Sequence, residues 1–372
     1  SIFFHYQDPA VIRRELYRII SRLKKMNITC LITVEREAEK DKNSMFGVEQ
    51  FVSDNIILLH NRLNENGKRD RSIEILKFRG SAHDSQEVPL LIDRHGVKIY
   101  PLVRPELKAK MSDQKVSIGI KGLDEMLYGG IYQNSITLIT GASGTGKTVA
   151  GLHFLMEGAR RGENTLMLEF EESPDQLCTN ASSFGWELKK YVDEGSIQLL
   201  CQYDESLRAE QYLDLIRCMV VKHQIKRFVM DPVSSLQRIY SDDKFWEFVT
   251  ILTDFLRIQN ITALFTSISH QILGGAELSE IKVSTTVDNI IILKYVELGG
   301  RIRRLVNVLK QRGSRHMKEL MEFDITSKGL EVLGTFARVE NLISGSARRV
   351  RIRFDEEDAE KEFMEEAKRG RV

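Results

Sequence analysis

Residues 141–148, Gly-Ala-Ser-Gly-Thr-Gly-Lys-Thr, fill the pattern GxxxxGK[ST] completely and constrain the chain more than any other feature. The pattern works only where a strand delivers the chain to a glycine turn and a helix leaves it. The backbone N–H groups of the turn and the positive end of the helix must converge on one anion. The flanks meet that condition: residues 135–140 are an apolar run of strand length, and residues 149–156 continue as an apolar helical segment. Gly141, Ser143, Gly144, Thr145, Gly146, Lys147, Thr148 and Val149 are therefore candidate nucleotide-binding residues. In this pattern Lys147 reaches the β- and γ-phosphates and Thr148 ligates Mg²⁺.

Two further strand ends carry carboxylates. Residues 227–231, Arg-Phe-Val-Met-Asp, form an apolar strand closing on Asp231, the position from which a P-loop protein holds its magnesium ion. Residues 168–173, Leu-Glu-Phe-Glu-Glu-Ser, end another strand. Carboxyl ends of strands face the ligand crevice in an open α/β sheet, so Glu171 and Glu172 are placed to take a proton from an attacking water or hydroxyl. The plainer reading is an acidic helix start, with Ser173 and Pro174 as its N-terminal signals. Short apolar runs at 135–140, 165–170, 227–231, 261–267 and 289–294 alternate with amphipathic segments such as 244–258. That alternation predicts an α/β fold with a mostly parallel sheet covered on both faces.

The sequence also repeats itself. Lys310 in Asn-Val-Leu-Lys-Gln-Arg-Gly-Ser-Arg-His (307–316) lies 233 residues after Lys77 in Glu-Ile-Leu-Lys-Phe-Arg-Gly-Ser-Ala-His (74–83). Asp288-Asn-Ile-Ile-Ile-Leu follows Asp54-Asn-Ile-Ile-Leu-Leu by 234 residues, and Asn260-Ile-Thr follows Asn27-Ile-Thr by 233. So steady an offset marks a tandem duplication of one unit. A first-copy counterpart of Gly141 would fall before Ser1. The expected organisation is the latter half of a first copy (1–102), a linker (103–115), a complete second copy (116–345) and a tail (346–372). Lys310 and Arg312 alternate on an expected strand and project from one face. Lys77 and Arg79 keep that spacing in the first copy, a fixed cationic pair suited to charge on a transferred phosphoryl group. An edge strand protected by charge is the alternative.

Composition narrows the class. With 42% hydrophobic and 29% charged residues and a net charge of +1, the chain has the profile of a globular protein. No apolar run approaches the roughly 18 residues of a membrane span. The first residues carry no secretory pattern, and the expected location is cytoplasmic. Cys30, Cys178, Cys201 and Cys218 show no CxxC spacing and read as small buried hydrophobes.

Taken together, residues 141–148, 170–173, Asp231, 283–288 and 310–314 resemble the second domain of the circadian clock protein KaiC family, and residues 9–102 resemble the latter half of its first domain. The resemblance implies RecA-like domains in a homohexamer with ATP and Mg²⁺ at subunit interfaces, the metal held by Thr148, Glu171 and Asp231. It implies Lys147, Glu171 and Glu172 as the catalytic group. It places self-phosphorylation on Ser284 and Thr285, and an aromatic contact to the nucleotide on Phe184. The residues reaching a neighbouring subunit's ATP fall on Arg304, Lys310 and Arg312, and in the first copy on Lys77, Arg79, Ser81 and His83. KaiB-like and KaiA-like clock proteins are the implied partners, although the tail departs from the family pattern and reads as a solvated, partly helical segment. A nucleic-acid-binding relative is the competing class, but residues 269–286 set Glu277 and Glu280 against the single Lys282, so nucleic acid is not an expected partner. A ring scaffold with structural ATP would have no use for Glu171 and Glu172.

Overall fold

In the computed structural model the described residues are 9–34, 52–63, 69–94, 96–99, 112–201, 209–238, 240–269, 286–298, 300–336, 339–340 and 348–349. The chain divides into two units, Ser1–Val103 and Arg104–Val372. The first holds helix α1 (Pro9–Lys25) and strands β1 (Asn55–Leu63), β2 (Arg69–Phe78), β3 (Val88–Asp93) and β4 (Gly96–Ile99). These strands form an antiparallel meander in the order β1-β2-β3-β4. Arg22, Lys24 and Lys25 fill the last turn of α1, where cations suit the negative end of the helix dipole.

The second unit runs β5 (Lys115–Val116), α2 (Lys121–Met126), β6 (Ile131–Tyr132), β7 (Ile136–Gly141), α3 (Lys147–Arg160), β8 (Thr165–Glu169), α4 (Pro174–Ser183), α5 (Leu188–Asp193), β9 (Ile197–Cys201), α6 (Ala209–His223), β10 (Arg227–Asp231), α7 (Ser234–Gln237), α8 (Asp242–Ile258), β11 (Thr262–Ile268), β12 (Asn289–Leu298), β13 (Arg301–Gln311), β14 (Met321–Thr326) and β15 (Gly329–Thr335). Its nine-stranded sheet has the order β15-β14-β13-β12-β7-β11-β10-β8-β9. From β12 to β9 every pairing is parallel, and β12 to β15 are antiparallel. The continuous apolar runs are explained by burial on both faces, since every residue of β7, β8 and β10 is buried. Val229 packs against Gly151 of α3 on one face. By strand alternation Phe228 points to the other, where it meets Phe265 edge to face.

Both units carry the repeat as geometry. Helices α1 and α8 each have 17 residues, followed by left-handed Asn27 (φ +53°) and Asn260 (φ +55°). The hairpin β1–β2 is bulged between Ile56 and Ile57, and the hairpin β12–β13 between Ile290 and Ile291. The Arg79 N–H donates to the Asp54 carbonyl at 3.0 Å, and the Arg312 N–H to the Asp288 carbonyl at 2.9 Å.

Lys115, the last residue of the expected linker, pairs with Tyr132 in the small β5–β6 hairpin. One expectation changes. Cys30 and Cys218 are exposed rather than buried, Cys178 and Cys201 are half-buried, and all four are free. Cys30 lies in irregular chain after α1, and Cys218 is on the outer side of α6, away from buried Tyr212, Leu213 and Ile216.

Candidate functional site

Strands β7, β11, β10 and β8 are neighbours, and all four end at the same edge of the sheet. Beyond β7 comes the glycine turn. A Cβ on Gly141 would stand 2.4 Å from the Leu293 carbonyl oxygen, so no side chain fits there. Gly144 and Gly146 adopt φ of +77° and +102°, a region L-residues avoid. Gly146 caps α3, whose first turn presents Lys147, Thr148 and Val149; Ser143 is exposed at the loop tip. The Thr145 hydroxyl donates to the Ala142 carbonyl at 2.8 Å. Lys147 Nζ donates to the carbonyls of Gly141 and Ala142, both at 2.9 Å. Burial pushes the Lys147 ammonium below its ordinary range, against the pull of Asp231 and Glu171.

Asp231 ends β10 and is 2% exposed. Its Oδ1 accepts from the Thr266 hydroxyl, and the Thr148 side chain also bonds to it. Its Oδ2 is buried without a hydrogen-bond partner. Burial raises the pKa of this carboxyl, and Glu171 adds to the rise. A hard divalent cation fits this donor set: a threonine hydroxyl, a carboxylate with one unclaimed oxygen, and a neighbouring phosphate turn. Among the described residues no group of three or more His, Cys, Asp or Glu side chains is arranged to hold a metal alone. A cation here would complete its shell with phosphate and water oxygens.

Glu171 and Glu172 stand on the turn after β8. Glu171 is exposed. Glu172 is half-buried, and its Oε2 accepts from Asn180 Nδ2 at 2.7 Å. Burial raises the Glu172 pKa, the Asn180 bond opposes the rise, and Asp231 and Glu171 reinforce it. Ser173 caps α4 with a capping box closed by Gln176, so the acidic segment does lead into a helix start. Phe184 lies at the far end of α4, its ring 5.1 Å from that of Trp186.

The cations behave differently from one another. Lys310 Nζ donates to the Val287 carbonyl at 2.8 Å, and Arg312 to Asp288 at 3.3 Å. Both contacts lie at the start of β12. Leu293 of β12 pairs with Gly141, six residues along, or roughly 20 Å at strand rise. Lys310 and Arg312 are thus held at the end of the sheet opposite this chain's own glycine turn. Arg304 sits at the other end of β13, paired with Asp324 and 5.8 Å over the Tyr295 ring. The Tyr295 hydroxyl comes within 2.9 Å of where a Cβ on Gly144 would be. In the first unit Lys77 donates to the Ser53 carbonyl at 2.9 Å and Arg79 to Asp54 at 3.4 Å, while Ser81 and His83 are exposed. Ser284 and Thr285 lie outside the described residues, as do Glu277, Glu280 and Lys282.

Sequence reasoning passed over Glu169, Thr266 and Tyr295. Glu169 is the clearest omission. It closes β8 in register with Asp231, and burial, with Asp231 next, pushes its carboxyl up to about 8. The signal was present, since Thr-Leu-Met-Leu-Glu and Arg-Phe-Val-Met-Asp are both four-residue runs closing on an acid.

Comparison with known proteins agrees with this geometry. A family model described as "ATPase: KaiC" matches residues 1–104 and 116–336. The circadian clock oscillator protein KaiC of Picosynechococcus sp. is 39% identical over 352 residues, covering 95% of this chain and 68% of that protein. The KaiC of Thermostichus vulcanus is 40% identical over the same shares. The circadian clock protein KaiC3 of Synechocystis sp. is 38% identical over 93% of this chain and 68% of its own length. Among the described residues no helix is long and apolar enough to cross a membrane. With a glycine turn after β7, carboxylates closing β8 and β10 and a mostly parallel sheet of the RecA-like kind, the chain belongs to the KaiC ATPase family.

Proposed function

We propose that the protein is a Mg²⁺-dependent ATPase that also phosphorylates itself on Ser284 and Thr285, working as a homohexamer in a circadian or clock-like timing system. The observation that carries this reading is the gathering of Lys147, Thr148, Glu171 and Asp231 around the P-loop edge, with one oxygen of Asp231 unclaimed. The P-loop amides and Lys147 hold the phosphates, and Val149 and Phe184 border the nucleotide. Thr148, Glu171 and Asp231 hold the metal, which when bound neutralises charge developing on the phosphates. Glu171, exposed and electrostatically linked to Lys147, takes the proton from the attacking oxygen. The new bond joins that oxygen to Pγ, the bond from Pγ to the β–γ bridging oxygen breaks, and ADP leaves. Water as attacker gives hydrolysis; a Ser284 or Thr285 hydroxyl gives the phosphoprotein. Glu172, tethered by Asn180, supports the same transfer.

Residues 1–102 and 116–345 are two copies of one RecA-like unit in this reading, and 346–372 a tail. Lys310, Arg312 and Arg304 serve the ATP of the adjacent subunit, as Lys77, Arg79, Ser81 and His83 do in the first copy. The distance of Lys310 and Arg312 from their own P-loop supports a role in trans. Phosphates on Ser284 and Thr285 would add roughly −3 to −4 of charge beside Glu277 and Glu280, a route from phosphorylation to ring stability and to KaiB-like and KaiA-like partners. Phosphosite mass spectrometry after incubation with Mg-ATP tests the reading. Phosphate on Ser284 and Thr285, absent from Glu171→Gln/Glu172→Gln protein, is expected. Intact hydrolysis with neither residue modified would leave a ring ATPase without kinase activity.

A further inference from the structure

We infer that Glu169 is a positioning residue for ATP hydrolysis, tying the turn that carries Glu171 and Glu172 to the Asp231 end of β10. The inference rests on the reading of Glu171 and Glu172 as the proton-accepting pair. Glu169 is 2% exposed and closes β8 directly across from Asp231. Its two carboxyl oxygens have separate surroundings. Oε1 accepts the backbone N–H of Glu171 at 3.0 Å and of Glu172 at 3.2 Å, so one atom fixes the backbone of both residues. Oε2 is buried without a hydrogen-bond partner, as is Oδ2 of Asp231. The Phe170 N–H donates to the Asp231 carbonyl at 3.0 Å, pinning the two strands together where the carboxyls stand.

A buried carboxyl is expensive, and an unpartnered oxygen makes it more so. Alanine, or an apolar residue of similar size, would close β8 at lower cost. What alanine cannot do is hold two consecutive N–H groups beyond the strand end. Nor is Glu169 the proton acceptor in this reading, since its Oε1 already accepts two backbone N–H groups and exposed Glu171 is the carboxylate an attacking oxygen meets. Its effect therefore passes through Glu171 and Glu172. Loss of both N–H contacts frees the turn, and displacement of a catalytic group by about 1 Å costs on the order of 100-fold in rate.

The test measures phosphate release from Mg-ATP by the full chain carrying Glu169→Ala, Glu169→Gln or Glu171→Gln/Glu172→Gln, with affinity for a fluorescent ATP analogue read alongside. Glu169→Ala is expected to lower kcat on the order of 100-fold while KM and analogue affinity stay near wild type. Glu169→Gln is expected to restore the rate, because the amide oxygen can accept both N–H groups as Oε1 does. The inference is overturned if Glu169→Ala hydrolyses ATP like wild type while Glu171→Gln/Glu172→Gln is inactive. Parallel loss of rate and nucleotide affinity in Glu169→Ala without rescue by Glu169→Gln would overturn it too, marking Glu169 as structural. Should Glu171→Gln/Glu172→Gln remain active, the underlying reading of the pair fails, and the inference with it.

Discussion

Asp231 shows what the site costs at the level of single residues. It is fully enclosed and close to Glu169, and its pKa is raised in the fold. A carboxyl whose folded pKa is raised above its unfolded value loses stability for the fold as pH climbs past the unfolded value, so at pH 7 Asp231 works against folding. Asparagine has the same shape, accepts from Thr266 and can donate to the unpartnered Glu169 Oε2. Asp231→Asn is therefore expected to raise the melting temperature of nucleotide-free protein, by about 2–4 °C for each kcal/mol recovered. The same variant should lose the additional stabilisation that Mg²⁺ gives over ATP alone. Differential scanning calorimetry with and without Mg-ATP checks both, and a lower melting temperature would show that burial of the Asp231 carboxyl does not cost the fold stability. Gly141, Lys147, Thr148 and Asp231 were readable because phosphate chemistry fixes their types and spacing. Glu169 was not, because its role depends on which strands are neighbours, and β8 and β10 are some 60 residues apart in the chain but adjacent in the sheet.

Among the elements, α3 carries one anchor at its start and another at its middle. Its first turn supplies Lys147 and Thr148. One and a half turns on, His153 Nε2 accepts the Leu330 N–H at 2.9 Å, and its ring meets that of Trp186 at a centroid distance of 4.4 Å. Gly329, at φ +96°, gives the room, since a Cβ there would stand 2.4 Å from His153 Nε2. The P-loop helix is thereby fastened to the β14–β15 hairpin and to the segment after α4. Burial lowers the His153 pKa from 6.5 to about 4, and only the neutral ring can accept from Leu330. A histidine with a depressed folded pKa supplies stability that is complete above 6.5 and is lost as pH falls towards 4. Between pH 6.5 and 5 that loss is about 2 kcal/mol. His153→Gln retains an acceptor but cannot titrate, so its urea-denaturation stability should change less than wild type over that interval. Equal acid sensitivity in the two proteins would place the titration elsewhere. The parallel strands were legible as apolar runs because both their faces are buried. The β13–β15 meander was less so: β13 mixes buried Leu305, Val306 and Val308 with exposed Arg301, Ile302 and Leu309, and the consecutive Leu305 and Val306 are buried on opposite faces in separate clusters, which breaks the two-residue alternation.

For the molecule as a whole, the question is why two copies of the unit keep the same cations in the same places. Lys77 and Lys310 each donate to a carbonyl just before a strand, and Arg79 and Arg312 each reach the aspartate that opens it. Such contacts brace a hairpin, and bracing alone would explain them. In the second unit they also hold Lys310 and Arg312 at a fixed position roughly 20 Å from that unit's own P-loop, which suits a head-to-tail ring in which each chain completes its neighbour's site. Mixing two disabled proteins separates these explanations. Lys310→Ala/Arg312→Ala retains its P-loop and glutamates but offers no cations. Glu171→Gln/Glu172→Gln retains its cations but accepts no proton. In a head-to-tail ring, an interface joining the P-loop face of the first to the cationic face of the second holds every group. An equimolar mixture assembled with Mg-ATP then has about a quarter of its interfaces intact. Hydrolysis in the mixture is expected to rise towards that share of the wild-type rate, although each protein alone is inactive. If the mixture stays as inactive as its components while still forming mixed rings, Lys310 and Arg312 only brace the hairpin, and the cations facing the neighbouring ATP must be sought elsewhere, beginning with Arg304.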